Sequence, residues 1–262
     1  MVVINKATEE YIHKEEKEFL GVEIVNRFPA FSQSICGYES ASVELLQATN
    51  YKEWIDAAFY NCFATWDMYP ITPVTKLMET LSPEEKEKRV IAMLKQRPIS
   101  AALESAMFTF KISGVPRTFL AQITRHRQMS FGVQSLRVSS CYANLVRAPQ
   151  VLIEEESPVL GKYIDTVNRC REVYREMIED GVPMEQARSI MPMGTTTTMS
   201  ANMRLRDVIA YCRARTSGIT QDEHSYVVAL LVRCLKKDAP EFYENFIKSD
   251  HLERLMKKYM EE

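Results

Sequence analysis

Residues 125–137, RHRQMSFGVQSLR, hold the densest set of chemistry-bearing side chains in the chain. Four basic residues (Arg125, His126, Arg127 and Arg137) lie within a short span that also carries Ser130, Gln134 and Ser135. Guanidinium groups suit planar, two-pronged capture of a phosphate or of a pyrimidine edge. A solvated charged turn would also account for such a span, because exposed Arg needs no special reason. Three more places of uncommon polar character stand far away in sequence: Arg188, the Asn202/Arg204 pair and Arg213. Together they would make a pocket for a phosphorylated, ring-bearing ligand.

Two nucleophilic readings are weaker. Ser135 with His126 as base would need a basic imidazole, yet Arg125 and Arg127 flank it and no acidic residue is nearby in sequence to orient it. Cys141 could be activated by a nearby guanidinium, although a buried structural thiol explains SSCY equally.

The elements that would position these residues are legible. MFTFKISGV alternates as a strand should, and Val115-Pro116 places a proline at the first turn of a helix, PRTFLAQIT, that runs into Arg125. After the basic turn, Ser130, Gly132, Gln134 and Leu136 alternate with Phe131, Val133, Ser135 and Arg137, which reads as a strand. Ser100 reads as the cap of a short helix through Glu104. The threonine run of MGTTTTMSANMRLR has strand propensity and leads to a helix from about Arg204 to Arg213.

Elsewhere, ASVELLQAT suggests a strand and residues 51–66 have helical spacing. Ser82 with Glu85 is a capping box opening a helix that Pro98 stops. Residues 155–180 carry an apolar stripe of Leu160, Tyr163, Ile164, Val167, Cys170, Tyr174, Met177 and Ile178. Helix is expected from Thr220 to the C-terminus.

At 262 residues the chain can bury a sizeable core. It reads as a polar N-terminal extension, residues 1–41, followed by one domain, residues 42–262. Its 33 basic and 35 acidic residues leave a net charge of -2, which argues against a protein that grips nucleic acid by its whole surface. Any anion site must be local. No apolar run approaches a membrane span and no signal peptide is evident, so a soluble, cytoplasmic protein is expected. The six cysteines form no CxxC pair and the four histidines are scattered. Reduced, buried thiols and no metal site are expected.

These motifs resemble the flavin-dependent thymidylate synthases, whose signature has seven residues between RHR and a Ser, as between Arg127 and Ser135 here. Further matches are collinear. They are Glu104 with Phe108-Thr109-Phe110, then Gln122, the segment Gly181–Pro192, Asn202-Met203-Arg204, Arg213, and the Gln221/Glu223 pair. The resemblance implies an α+β fold with a mixed or antiparallel sheet flanked by helices, and a homotetramer with active sites between subunits. It also implies FAD, NADPH and 5,10-methylenetetrahydrofolate, used to convert deoxyuridylate to thymidylate without a protein thiol. By position, Arg125, His126, Arg127, Asn202 and Arg204 would contact FAD, with Ser100 as a further candidate. Gln122, Gln134, Ser135, Arg137, Arg188 and Arg213 would hold the pyrimidine nucleotide. Ser135 and Arg213 are the expected catalytic residues, Arg213 stabilising negative charge on the ring.

The chain departs from the family pattern at four places. Gly132-Val133 replaces Asn-Glu, Ser105 replaces a histidine, Val208 an asparagine and Phe59 an arginine. These departures fall on flavin and folate surroundings. They raise two other expectations: a related C5 modification, such as hydroxymethylation, of another pyrimidine nucleotide, and a non-catalytic nucleotide-binding paralogue.

Overall fold

The computed structural model describes residues 35–137, 144–216 and 221–260. Cys141 and most of the N-terminal extension lie outside them. In chain order the elements are β1 (Ile35–Cys36), β2 (Ser42–Ala48), α1 (Tyr51–Phe63), α2 (Val74–Thr80), α3 (Pro83–Gln96), α4 (Ser100–Glu104), β3 (Met107–Pro116) and α5 (Arg117–Ile123). There follow β4 (Ser130–Val133), β5 (Val146–Arg147), α6 (Gln150–Glu154), α7 (Val159–Glu179), α8 (Met184–Ala187), β6 (Thr196–Arg204) and α9 (Leu205–Ala214). The chain ends with α10 (Asp222–Asp238), α11 (Pro240–Phe242), a π-helical turn (Tyr243–Ile247) and α12 (Asp250–Met260). The four-stranded sheet has the order β2-β3-β6-β4 and the fold is α+β. None of the described helices is long and apolar enough to cross a membrane.

The chain divides into two compact units. The first comprises residues 1–41, 113–125 and 132–199. In it β1 and β5 pair in parallel, Ile35 opposite Val146 and Cys36 opposite Arg147. Arg147 is buried because its guanidinium donates to Ser40 Oγ (3.1 Å) and to the Gly114 carbonyl (2.9 Å). Gly114 sits at φ +70°, and a Cβ there would lie 2.0 Å from the Ser40 carbonyl oxygen, so only glycine fits. Leu136, Tyr174, Met184 and Ala187 form a buried cluster packed by Met177, Ile178, Val182 and Met191.

The second unit comprises residues 42–112, 126–131 and 200–262. Its centre is aromatic: Phe242 meets Tyr51, Trp54 and Phe108 at ring separations of 4.9, 5.1 and 5.0 Å. Trp54 Nε1 donates to the Ala102 carbonyl (3.0 Å) and to Ser105 Oγ (3.1 Å), which satisfies its one donor in the core. The capping box at Ser82 and Glu85 is formed, with reciprocal bonds of 3.2 and 3.0 Å.

Several local expectations need correction. Ser100 is the first residue of α4 rather than its cap, and its hydroxyl instead accepts a bond from Arg206. The strand after the basic turn ends at Val133, because residues 136 and 137 turn so that Leu136 can enter its core cluster. The helix placed at 155–180 begins at Val159, since the chain kinks at Glu156 (φ +46°). Its inner face also includes a buried cation: Arg171 donates to the Asn144 carbonyl.

Candidate functional site

In the second unit, the end of β6 aims two residues the same way. Asn202 and Arg204 are half-buried, whereas Ala201 and Met203 between and beside them are fully buried, as strand alternation requires. Asn202 Oδ1 accepts from Thr109 Oγ1 on β3 at 2.8 Å, which points its amide N–H groups as donors. Arg204 is held on three sides. Its Nη1 meets Glu104 at 2.6 Å, its Nε lies 3.5 Å from buried Asp207, and its Nη2 donates to the Gln128 carbonyl at 3.5 Å. The Arg204 backbone N–H also donates to Asp207 (3.1 Å), which caps α9.

The other Glu104 oxygen accepts from Arg206 at 2.7 Å, and Arg206 reaches Ser100 Oγ at 3.1 Å. The hydrogen bond from Arg206, aided by the Arg204 charge, holds the Glu104 carboxyl below the ordinary range. It is therefore a fixed anion at neutral pH. No motif in the sequence marks Arg206 or Asp207; the one available signal is an acid following LR at the start of an apolar helix.

His126 follows at the start of the basic turn. Its Nε2 accepts from Arg215, 3.3 Å from Nε and 3.0 Å from Nη2, and its ring lies edge-on to Tyr211 with centroids 5.3 Å apart. The Tyr211 hydroxyl is bonded to buried His224 at 3.0 Å. Burial, then the Arg215 charge, pushes the His126 pKa down, while Asp207 opposes. The depression expected from Arg125 and Arg127 thus comes from elsewhere, because both flanking side chains are exposed. Among the described residues the Arg127 guanidinium makes no hydrogen bond or ion pair. Arg213, exposed on α9, lines a cleft of about 230 Å³ with Thr216, Lys248, Ser249 and His251.

The first unit holds Gln122, Arg125, Gln134, Ser135, Arg137 and Arg188. Two of these groups flank one hydrophobic cluster. Leu136 and Ala187 are both buried in it, and so Ser135, Arg137 and Arg188, their chain neighbours, are fixed at its margin. Ser135 Oγ accepts from the Arg137 N–H (3.2 Å), Arg188 Nε donates to the Glu185 carbonyl (3.1 Å), and Arg137 is exposed. The Gln134 N–H donates to the Thr198 carbonyl (2.9 Å), and its side-chain oxygen accepts from Asn144 (3.4 Å). Gln122 is half-buried on α5.

The departures from the family pattern have visible causes. Phe59 and Val208 are fully buried, and Phe59 packs on Phe63 at 4.5 Å, so both positions serve the core here. Ser105 is committed to Trp54 and to the Ala102 carbonyl. Gly132 is exposed on β4.

The arrangement offers hydrogen-bond donors and cations in both units, with carboxylates already neutralised by arginine. Groups of this kind can bind phosphate and polarise ring carbonyls. Comparison with known proteins places the chain in a family. A flavin-dependent thymidylate synthase of Haloarcula marismortui is 28% identical over 190 residues, 63% of this chain and 77% of that protein. Thymidylate synthase X of Helicobacter pylori, solved with FAD and dUMP, superposes with a TM-score of 0.60 at 18% identity, covering 80% of this chain and 100% of that one. PolB of Streptomyces cacaoi, a UMP/dUMP methylase solved with 5-Br dUMP, gives 0.65 at 16% identity, with coverage of 81% and 96%. The family model described as thymidylate synthase complementing protein matches residues 44–241, and the chain belongs to that family.

Proposed function

We propose that the chain is a cytoplasmic flavin-dependent thymidylate synthase. It would methylate deoxyuridylate at C5 with 5,10-methylenetetrahydrofolate as carbon donor and NADPH as electron donor. The products would be thymidylate, tetrahydrofolate and NADP⁺. The observation that carries the reading is the Asn202/Arg204 pair on β6, Asn202 held by Thr109 and Arg204 by Glu104, set with His126 and Arg127 in one unit.

That donor set fits FAD. Exposed Arg127 supplies uncommitted positive charge for a pyrophosphate, and the family resemblance assigns Arg125 to the same cofactor. The Asn202 amide and the neutral His126 offer N–H groups to ring acceptors. Arg204, already paired with two carboxylates, positions its neighbours more than it binds phosphate. Ser100 accepts from Arg206 through its oxygen, and its O–H remains available as a donor to a cofactor. When bound, reduced FAD supplies hydride to the transferred one-carbon unit.

For the nucleotide, Ser135 and Arg137 would hold the phosphate, with Gln122, Gln134 and Arg188 as further contacts. Arg213 would stabilise negative charge on the pyrimidine and so make C5 more nucleophilic. No protein thiol is required in this scheme. The family resemblance supports a homotetramer with active sites between subunits.

A second reading is supported by Gly132, which presents no side chain on β4, and by the likeness to PolB: a related C5 modification of another pyrimidine nucleotide. Titrating the purified protein with FAD, then dUMP, and identifying products by mass spectrometry tests both. A flavin spectrum perturbed by dUMP and a thymidylate product are expected. A product carrying an extra oxygen, or turnover of another nucleotide alone, would transfer the assignment to the second reading. No flavin uptake would overturn both.

A further inference from the structure

His126 is fixed by a residue that the family resemblance does not include. Arg215 stands at the C-terminal cap of α9, 89 positions away, and directs both Nε and Nη2 at His126 Nε2, at 3.3 and 3.0 Å. A guanidinium has only N–H donors and keeps its proton throughout the working pH range. Nε2 must therefore be the accepting nitrogen. In a neutral imidazole the proton then resides on Nδ1.

The surroundings reinforce this. Tyr211 presents its ring edge-on at 82° and is itself anchored by its hydroxyl to His224 of α10. The charged and titratable groups around His126 are Arg215, Asp207 and Tyr211 from α9, and His224 from α10. Arg125 and Arg127 flank it in the chain and are exposed. Asp207 would favour an imidazolium, but its carboxylate is already shared between the Arg204 backbone and side chain. Protonating His126 would break the Arg215 bonds and set two cations about 3 Å apart. Among the described residues Nδ1 has no hydrogen-bond partner.

We infer that Arg215 is a positioning residue that fixes His126 as the neutral Nδ1–H tautomer. This histidine then meets its ligand as a single uncharged donor, suited to a ring carbonyl or ring nitrogen. The middle of the RHR triplet thus serves different chemistry from its flanks, whose charges suit phosphate. The tautomer stands on geometry alone; its use toward a flavin ring rests on the proposed function.

The test is ¹⁵N NMR of histidine-labelled, flavin-free protein, with His126 assigned by its absence in His126→Asn. Wild type should show Nε2 unprotonated and Nδ1 protonated at pH 8 and should titrate below the ordinary imidazole value. Arg215→Ala should give a mixture of tautomers that titrates higher than wild type, with the lowering due to burial left in place. Arg215→Gln, which keeps a donor without the charge, should restore the Nδ1–H tautomer while still titrating higher than wild type. FAD affinity should fall about tenfold in Arg215→Ala, the worth of about one hydrogen bond, and recover in Arg215→Gln.

A wild-type Nε2–H signal would overturn the inference, as would an unchanged His126 spectrum in Arg215→Ala with an intact melting transition. If Arg215→Ala does not fold, Arg215→Gln decides by whether its titration moves. A protein with the Nδ1–H tautomer that takes up no FAD supports the positioning role and counts against the flavin reading instead.

Discussion

Glu104 and Arg204 meet at 2.6 Å across 100 residues of sequence, tying the short helix before β3 to the last residue of β6. Arg206 takes the other carboxylate oxygen at 2.7 Å. One anion therefore orients two guanidiniums. Glu104→Gln would keep the shape and remove the charge, leaving Arg204 and Arg206 to repel each other. FAD affinity should weaken about tenfold, with the melting temperature within a few degrees of wild type, since partly exposed pairs contribute little to folding. Flavin titration beside a thermal melt checks this; unchanged affinity would show that the clamp does not organise the site.

His224 predicts a pH dependence of stability. Burial, then the charges of Arg215 and His126, pushes its pKa down to about 3. The folded value lies below the unfolded value of about 6.5, so the folded state favours the neutral ring. Its contribution is fully present above pH 6.5 and drains away as pH falls toward 3, on the order of 4 kcal/mol across that window. Denaturation midpoints measured between pH 8 and pH 4 should show this slope. His224→Gln, which retains a partner for the Tyr211 hydroxyl, should flatten it. A slope of equal steepness in the variant would place the titrating group elsewhere.

Gly114 predicts a steric failure. A Cβ there would approach the Ser40 carbonyl carbon to 2.7 Å and its oxygen more closely still, in a left-handed backbone conformation that costs other residues about 1–3 kcal/mol before any clash. The Gly114 carbonyl also receives buried Arg147. Gly114→Ala should therefore destabilise by about 3 kcal/mol or more, through strain and a displaced Arg147. Equilibrium denaturation decides it. A loss under about 1 kcal/mol would mean that residues 38–41 move aside freely.

Legibility in the sequence followed the range of the interaction. Local signals held: the Ser82/Glu85 capping box formed, the MFTFKISGV alternation became β3, and Pro98 lies just past the end of α3. Ser100 has the residue type of a cap and is instead the first residue of its helix, because a helix start depends on where the preceding chain turns. The basic turn and the Asn202/Arg204 pair are visible as residue types. Their partners are not. Arg206 and Arg215 belong to α9 and its cap, where the sequence pattern shows only that they are polar, and the side chains they reach, Ser100 and His126, stand 106 and 89 residues away. The burial of Phe59 and Val208 is likewise beyond motif comparison, which marks a missing polar residue but not the core that replaced it.

Arg213 separates function from folding most cleanly. It is exposed on α9, and among the described residues its guanidinium makes no hydrogen bond or ion pair. Its neighbours in the cleft are committed: Lys248 pairs with Glu244 at 2.6 Å, and His251 Nε2 bonds the Thr216 carbonyl at 2.9 Å. Arg213 is thus a cation with no internal structural duty, and Arg213→Ala should change stability by no more than about 0.5 kcal/mol. If it stabilises charge developing on the pyrimidine, kcat/KM should fall about a hundredfold or more. Arg213→Lys keeps the charge but loses the planar fork, and should recover only part of the rate. Thermal melts and thymidylate formation on the same preparations make the comparison. Parallel loss of stability and activity in Arg213→Ala would mean that the residue supports α9 rather than the reaction.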